Sequence, residues 1–465
     1  MTRSASTYWA GLASGCVALC LLHCAEMSIA SAQAADAPEV FEPSSCTIFV
    51  DGEGVIDGTI APVPHFTSIQ AALDQTKPGD IVCVRSPHHD YERPHVTISG
   101  TVNASIQIRA LAEVRTAGFV IEANYIQLNG FTVSNHGRHD MKGRDWGIYL
   151  AGTGLRITNN AVLDSESYGI SCETYPPGCF DTVIANNLVQ GADGTGILAA
   201  GERILVENND VSRSIMVDET DADGMRFFGS QITMRGNYIH DIFDRGYPAD
   251  NNPHTDCFQT FDKDKPASQA IVIENNICLN VDHQCFIAEG LEKQSSSAFK
   301  FRNNICGNNG SQAVLLRGVA DVEIANNLFL PTMLYHGVVA QSGSKQLTIA
   351  NNIFIGTYRA YDIDEDSQQG LNADYNLVYD STRPKQASWW SEPHGMWGIA
   401  PVFASPIADA AIENYRPASN SPVIDAGENS YNDSETDLDG NPRIYDGDGN
   451  GAALIDIGPY EYDGK

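Results

Sequence analysis

The feature that most limits what this chain can fold into is a short recurring phrase, an Ile/Val-rich segment that ends in Asn-Asn. It occurs as ITNN (157–160), IANN (184–187), VENN (206–209), MRGN (234–237), IENN (273–276), FRNN (301–304), IANN (324–327) and IANN (349–352), and Tyr375-Asn376 continues it. The last Asn advances by 27, 22, 28, 39, 28, 23, 25 and 24 residues. A period near 25 with β-branched alternation and no amphipathic helical pattern is that of one coil of a parallel β-solenoid. Stacked Asn side chains can hydrogen-bond along such an axis. Leucine-rich repeats have a similar period, but their Leu-x-x-Leu-x-Leu frame is absent.

A second column aligns with the first: GIYL (147–150), GISCE (169–173), GILAA (196–200), GMRFF (224–228), CFQTF (257–261), CFIAE (285–289), AVLLR (313–317), GVVAQ (337–341) and AYDID (360–364). Second and fourth members are nearly all apolar, as in Ile148/Leu150, Met225/Phe227 and Phe286/Ala288. Strand side chains alternate faces, so these point inward and the third and fifth members point outward. The expected fold is all-β, a right-handed parallel β-helix.

Arg3, the apolar stretch from Gly11 to Leu22 and Ala32-Gln33-Ala34 read as a secretory signal peptide over residues 1–34. A membrane anchor or a lipid-attached N-terminus is the alternative. No later stretch is long and apolar enough to span a bilayer. The net charge of −31 survives cleavage, because Arg3 and Glu26 cancel. Such a surface repels nucleic acid and anionic lipid. These features imply a protein that is secreted, periplasmic or on the cell surface, monomeric and without an organic cofactor.

Three of the eleven cysteines fall in the leader. The remaining eight suggest disulfides, and none has a zinc-type spacing. Cys257 and Cys285 share one column position on successive coils, and Cys278 and Cys306 share another. Coils lie about 4.8 Å apart, within disulfide Cα reach, which predicts Cys257–Cys285 and Cys278–Cys306. Cys172–Cys179 would close a small loop, and Cys46–Cys83 is left by elimination.

An amphipathic helix from Ser68 to Gln75, the breaker Lys77-Pro78-Gly79-Asp80 and the strand Ile81-Val82-Cys83-Val84 suit the capped entrance of a stack. Here FTSIQAALDQTKPGDIVCVR and ISGTVNASIQIRALAE resemble the opening of secreted β-helix proteins of the pectate-lyase-like superfamily, including chondroitinase B-like and alginate lyases. The resemblance implies a β-helix over residues 46–380 and a polysaccharide substrate. SPVIDAGEN (421–429), TDLDGNPR (436–443) and IDIGPYEY (455–462) resemble the C-terminal module that follows bacterial surface β-helices, which implies a capping or anchoring unit over residues 381–465. Within it, Asp437, Asp439, Asp446 and Asp448 alternate with glycines, a pattern suited to Ca²⁺.

The longest step, 39 residues, inserts DRGYPADNNPHTDCFQTFDKDKPAS (244–268). Long excursions from a rigid scaffold are where functional loops sit. His254, Asp256 and Gln259 lie there, with Asp223 and Arg226 on the preceding coil, Gln284 and Glu289 on the following one, Arg317 one further, and His240, Asp241, Asp244 and Arg245 on the adjoining turn. The expected catalytic set is Asp223, Arg226, His254 and Asp256, with Gln259, Arg245, Lys263, Glu289 and Arg317 as substrate contacts.

A polysaccharide lyase must neutralise a uronate carboxylate, remove the α-proton and release the leaving oxygen. Arg226, Arg317 or Ca²⁺ would neutralise, and His254, Arg245 or Lys263 would be the base. In a glycoside hydrolase, Asp223 and Asp256 would be acid and nucleophile or base. The HxDxxQ phrase also resembles motifs of alginate epimerase-like β-helices. A surface adhesin or glycan-binding protein is the reading from outside enzymology. A secreted lyase acting on an acidic polysaccharide is the reading favoured by the residues.

Overall fold

A computed structural model describes residues 45–54, 63–85, 90–135, 146–172, 178–217, 221–248, 250–331, 335–383, 391–404 and 415–464. The leader and Trp389-Trp390, a pair that could serve as a sugar platform, lie outside these residues. Among them, thirty-four strands join in one hydrogen-bonded network, every strand pairing of which is parallel. Most coils contribute three strands, the first two of which run on as one in Thr195–Glu207 and Asp223–Arg235. In one coil these are Phe258–Phe261, Gln269–Glu274 and Ile277–Val281, and Phe286–Glu289 opens the next. The chain is thus the expected right-handed parallel β-helix, an all-β stack with a lateral surface along its length.

Inward residues stack in files. Phe286, Phe301, Phe329 and Phe354 lie ring over ring, with centroids 5.3, 6.3 and 4.9 Å apart. The Asn-Asn phrase has two jobs. Its first Asn takes a left-handed backbone, as at Asn159 (φ 57°) and Asn326 (φ 56°), a conformation Asn tolerates better than most side chains. Its second Asn is buried. Asn160 Nδ2 donates to Asn187 Oδ1 at 3.0 Å, and the same bond recurs through Asn209, Asn237, Asn276, Asn304, Asn327, Asn352 and Asn376. The ladder ends on a carboxylate, where Asn376 Nδ2 donates to Glu392 Oε1 at 2.6 Å.

The N-terminal helix is shorter than its sequence pattern, Ile69–Leu73, with Ser68 accepting from the Ala71 N–H at 3.4 Å. Ile69, Ala72 and Leu73 are buried beneath it. At the other end, strand pairing continues past residue 380, to Met396–Trp397 against Leu377–Tyr379.

Two disulfides differ from expectation. Cys257 bonds to Cys278 and Cys285 to Cys306, with Cα atoms 6.1 and 5.8 Å apart, so both bridges lie within coils instead of Cys257–Cys285 and Cys278–Cys306 between them. The column alignment itself holds, since Cys278 and Cys306 are register partners. Residues stacked in one column point the same way, so their sulfurs stay a coil apart, whereas side chains on two strands of one coil converge across the interior. Cys46–Cys83 and Cys172–Cys179 are bonded as the sequence suggests.

The C-terminal segment folds back along the side of the stack. Val423, Ile457 and Tyr460 cover the outward file Ile305, Leu328, Ile353 and Leu377. The left-handed asparagines hold it: Asn303 Nδ2 donates to Ser434 Oγ at 2.7 Å, Asn326 Nδ2 to the Asp456 carbonyl at 2.7 Å and Asn351 Nδ2 to the Glu428 carbonyl at 3.1 Å. Asp433 also terminates an alternating charge file, Glu207, Arg235, Glu274 and Arg302 on successive coils.

Candidate functional site

The strand that opens each coil carries an outward file, Leu198, Arg226, Gln259, Ile287, Leu315 and Val339, in direct register. Its polar members belong to a doubled motif, Asp223-x-x-Arg226 and Asp256-x-x-Gln259. Asp223 Oδ1 accepts the Asp256 N–H at 3.0 Å, and Asp256 Oδ1 accepts the Gln284 N–H at 2.8 Å. Each carboxylate so takes a backbone donor of the next coil. The second oxygens turn to side chains. Arg226 Nε donates to Asp223 Oδ2 at 2.9 Å and Arg226 Nη2 to Asp221 Oδ2 at 2.9 Å. Gln259 Nε2 donates to Asp256 Oδ2 at 3.3 Å.

Sequence reasoning placed Asp223 and Asp256 on an open face. Both are 0% exposed, and Arg226 is 7% exposed. Each of these short side chains turns along the axis to a backbone donor of the next coil instead of outward. Burial pushes the Asp223 carboxyl up to about 6 against the pull of Arg226, with Asp221 adding to the rise. Burial and the neighbouring Asp223 carboxylate hold Asp256 well above the usual carboxylate range. Burial works against the Arg226 charge, but Asp223 and Asp221 overcome it and hold the guanidinium protonated. The arrangement is one buried cation matched by two carboxylates, with a third carboxyl kept toward its neutral form.

The accessible chemistry lies immediately outside this cluster. His254 is exposed, its N–H bonded to Asp221 Oδ1 at 2.9 Å and its ring 5.3 Å from that of His283. His283 Nε2 lies 3.6 Å from Asp244 Oδ2, and burial followed by the proximity of His254 lowers its pKa. Asp282 accepts the Asp244 N–H at 3.0 Å and lies 3.8 Å from Arg245 Nε. Exposed Arg245 stacks on Phe243 at 3.8 Å. Asp221 and His283 were missed in the sequence. The spacing of His283 two residues before Cys285 was the available signal, since His254 stands three before Cys257.

The other expected contacts are distributed around this centre. Glu289 and Arg317 form an ion pair, 2.8 Å, across successive coils. Glu289 is in register with Phe261, over whose ring Arg226 lies at 5.9 Å. Lys263 is exposed on the turn that follows. His240 and Asp241 form a separate group, with His240 Nε2 3.1 Å from Asp210 and Nδ1 2.8 Å from Asp241. On the N-terminal side, Trp146 stacks on Tyr149 at 4.6 Å and on Tyr168 at 6.3 Å, and Tyr168 lies close enough to Arg226 to act on its charge.

The acidic residues of the tail divide. Asp446 and Asp448 meet Asp425, and the three offer carboxylate oxygens within 4.8 Å of one another, a donor set that fits a hard cation. Asp437 is buried and turned inward, accepting from the Asp439 and Asn441 backbone N–H groups at 2.9 and 2.7 Å. Asp439 takes the guanidinium of Arg416. Neither joins the other two acids.

A family profile described as right handed beta helix region matches residues 146–354. No curated relative matches the chain. Among solved structures, XylC in complex with xylose aligns at 10% identity and a TM-score of 0.52, over 89% of this chain and 98% of that one. Pectate lyase Pel9A aligns at 16% identity and 0.49, over 90% and 98%. The A-module of Azotobacter vinelandii mannuronan C-5 epimerase AlgE6 aligns at 12% identity and 0.46, over 71% and 93%. At 10% identity the likeness to XylC is one of fold alone. With the coil geometry and the family profile it makes the chain a right-handed parallel β-helix.

Proposed function

We propose that the chain is a secreted carbohydrate-active enzyme, a lyase that cleaves a uronate-containing polysaccharide by β-elimination. One observation carries the reading: at the longest coil, exposed His254 sits on the lateral face against a buried, charge-matched Arg226–Asp221–Asp223 cluster. His254 removes the proton α to the uronate carboxylate. Arg226 is already matched by two carboxylates, so exposed Arg245, linked to His254 through His283 and Asp244, is the better partner for the substrate's charge. Asp223, Asp256 and Gln259 position these groups. Glu289, Arg317 and Lys263 extend the contacts along the groove.

Hydrolysis would need two carboxyl groups reaching opposite sides of a glycosidic bond. Asp223 and Asp256 stack on one side and bond to backbone, which favours elimination. Four disulfides suit an oxidising compartment. No helix among the described residues is long and apolar enough to cross a membrane. We place calcium, if bound, at Asp425, Asp446 and Asp448, with a structural role in the tail.

The test is product analysis on a panel of uronate-containing and neutral polysaccharides, with calcium or with chelator. Unsaturated ends together with new reducing ends support the lyase. Reducing ends alone move the assignment to a hydrolase. The burial of both carboxylates favours a second reading, glycan binding without turnover, which retained binding with no product would establish.

A further inference from the structure

The wall that carries His283 continues past the candidate site. His283 stands three residues before Phe286, and Tyr335 and Tyr358 stand three before Val338 and Tyr361. Phe286, Val314, Val338 and Tyr361 are in register, so the two tyrosines lie on the line of His283, two and three coils on. The Tyr358 N–H donates to the Tyr335 carbonyl at 2.7 Å, and the Arg383 N–H donates to the Tyr358 carbonyl at 2.8 Å, one coil further. At a coil spacing of about 4.8 Å, these residues stand ~10–19 Å from His283 along the axis. The outward file of the first strand runs beside them from Gln259 to Asp362.

The charges at this end of the wall do not cancel. Asp362 accepts from Arg359 Nη1 at 3.1 Å and lies 3.7 Å from His336 Nδ1. Burial lowers the His336 pKa, so that ring is neutral near neutral pH and Arg359 is the match for Asp362. Asp364, just past the strand, is turned to the N–H groups of Ser342 and Ser367, at 2.9 and 2.8 Å. Arg383 is exposed, and its guanidinium lies 5.7 Å from the centre of the Tyr358 ring. It forms no ion pair with an Asp or Glu among the described residues, whereas Arg359, which contacts the same ring, is paired. Tyr335 is 36% exposed and brings an open ring to the same line.

An open aromatic ring offers a flat apolar face to the C–H side of a sugar, and a guanidinium takes a carboxylate through two parallel N–H bonds. A neutral sugar would use the ring and leave Arg383 idle. A small inorganic anion would use Arg383 and have no need of the ring. An acidic sugar uses both. Tyr and Arg also anchor protein partners. Here they lie on the line of His283, a few coil spacings from it, which favours an occupant that runs along the groove.

We propose that Tyr335 and Arg383 form a distal subsite for one uronate of the polysaccharide whose elimination is assigned to His254, with the Tyr358 ring supporting the guanidinium. The inference rests on that reading and deepens it. The substrate is then an acidic chain several sugars long, which extends from His254 toward the C-terminal coils.

The experiment is calorimetric titration of the mature His254→Ala chain, which spares the ligand, with hexagalacturonate, hexamannuronate and neutral cellohexaose. In that background Arg383→Glu reverses the charge and Tyr335→Ala removes the ring. Arg156→Glu makes the same change of net charge on another strand of the coil, where exposed Arg156 is in register with Gln127 and Val183. Thermal unfolding checks that each variant is folded. A hexauronate is expected to bind, to bind at least about tenfold more weakly to Arg383→Glu and severalfold more weakly to Tyr335→Ala, and to bind Arg156→Glu as before. Cellohexaose is expected to bind at least about tenfold more weakly than the hexauronate. Absence of hexauronate binding overturns the proposal. So does binding indifferent to Arg383→Glu or to Tyr335→Ala, an equal loss in Arg156→Glu, or equal binding of cellohexaose. The subsite and the elimination can fail separately. Unsaturated product from the wild type, with binding indifferent to Arg383→Glu, removes the subsite and leaves the elimination. Binding that needs Arg383, with no product from the wild type, removes the elimination and leaves the subsite as part of a glycan-binding face.

Discussion

The carboxylate of Asp223 accepts the backbone N–H of Asp256, its neighbour one coil on, at 3.0 Å, and both side chains are wholly buried. Two acids that read as a catalytic pair are the fastening of one coil to the next. Asp256 lies well above the ordinary carboxylate range, from burial and the Asp223 charge, so a neutral amide is a fair substitute. Asp256→Asn is expected to cost less than about 1 kcal/mol, while Asp256→Ala orphans the Gln284 N–H and costs about 1–3 kcal/mol. Asp223→Ala strips a partner from buried Arg226 and costs more, about 3–5 kcal/mol. Urea unfolding of the three variants tests that order.

His254 is expected to separate from these residues. Its side chain is exposed, so His254→Ala should unfold with the wild type yet lose on the order of 10²–10⁴-fold in turnover. Equal losses of stability in His254→Ala and Asp256→Ala would place both in the scaffold. The comparison needs only an unfolding curve and an initial rate for each.

The repeat made the fold readable. Alternation, the Asn-Asn phrase and the Gly-led columns each constrain the same backbone, so period, facing and stacking register follow from spacing alone. The helix at Ser68, the entrance strand and the position of the long coil were visible for the same reason. Three matters were not. Which of two column-compatible sulfurs pair depends on Cβ direction within the coil. The burial of Asp223 and Asp256 depends on side chains turning to backbone donors of the next coil, a choice that outward alternation does not encode. The return of the tail onto Asn303, Asn326 and Asn351 is a contact between segments about 80–130 residues apart, which no local pattern records.

The disulfide assignment can be checked directly. A non-reducing digest should yield the Cys257 peptide linked to that of Cys278, and Cys285 to Cys306. Each bridge closes a loop of modest length and is expected to contribute about 2–4 kcal/mol. Peptides that link Cys257 with Cys285 would instead mean that the coils are tied along the axis.

The tail should loosen in alkali. Burial raises Asp456 to about 7 and Glu461 to about 9, with Arg443 opposing both. A carboxyl raised on folding stabilises below its ordinary pKa, and that contribution is lost as pH rises through the folded value. Docking of residues 421–462 should therefore weaken as pH rises out of the ordinary carboxylate range, the Asp456 contribution being spent by about pH 7 and that of Glu461 by about pH 9. Hydrogen exchange of that segment at neutral and alkaline pH reads this, and Glu461→Gln should remove the upper step. Exchange that is flat with pH would show the carboxyls to be charged throughout.

At the end of the Asn ladder, Tyr361 Oη donates to Glu392 Oε1 and Oε2 at 2.7 Å each, and burial raises the Glu392 pKa. By the same sign rule, its ionisation opposes folding as pH rises. Glu392→Gln keeps an acceptor without the charge, so it should match or exceed the wild type in thermal stability at neutral pH. Glu392→Ala should fall below it by about 1–3 kcal/mol, having left Asn376 without its terminal partner.

The central claim, β-elimination at the His254 face, is tested most directly by following the absorbance of unsaturated uronate ends when purified mature protein acts on polyuronates. The account predicts a steady rise on at least one of them, abolished in His254→Ala and retained in Asp256→Asn. No rise on any polyuronate, or an undiminished rise with His254→Ala, would contradict it.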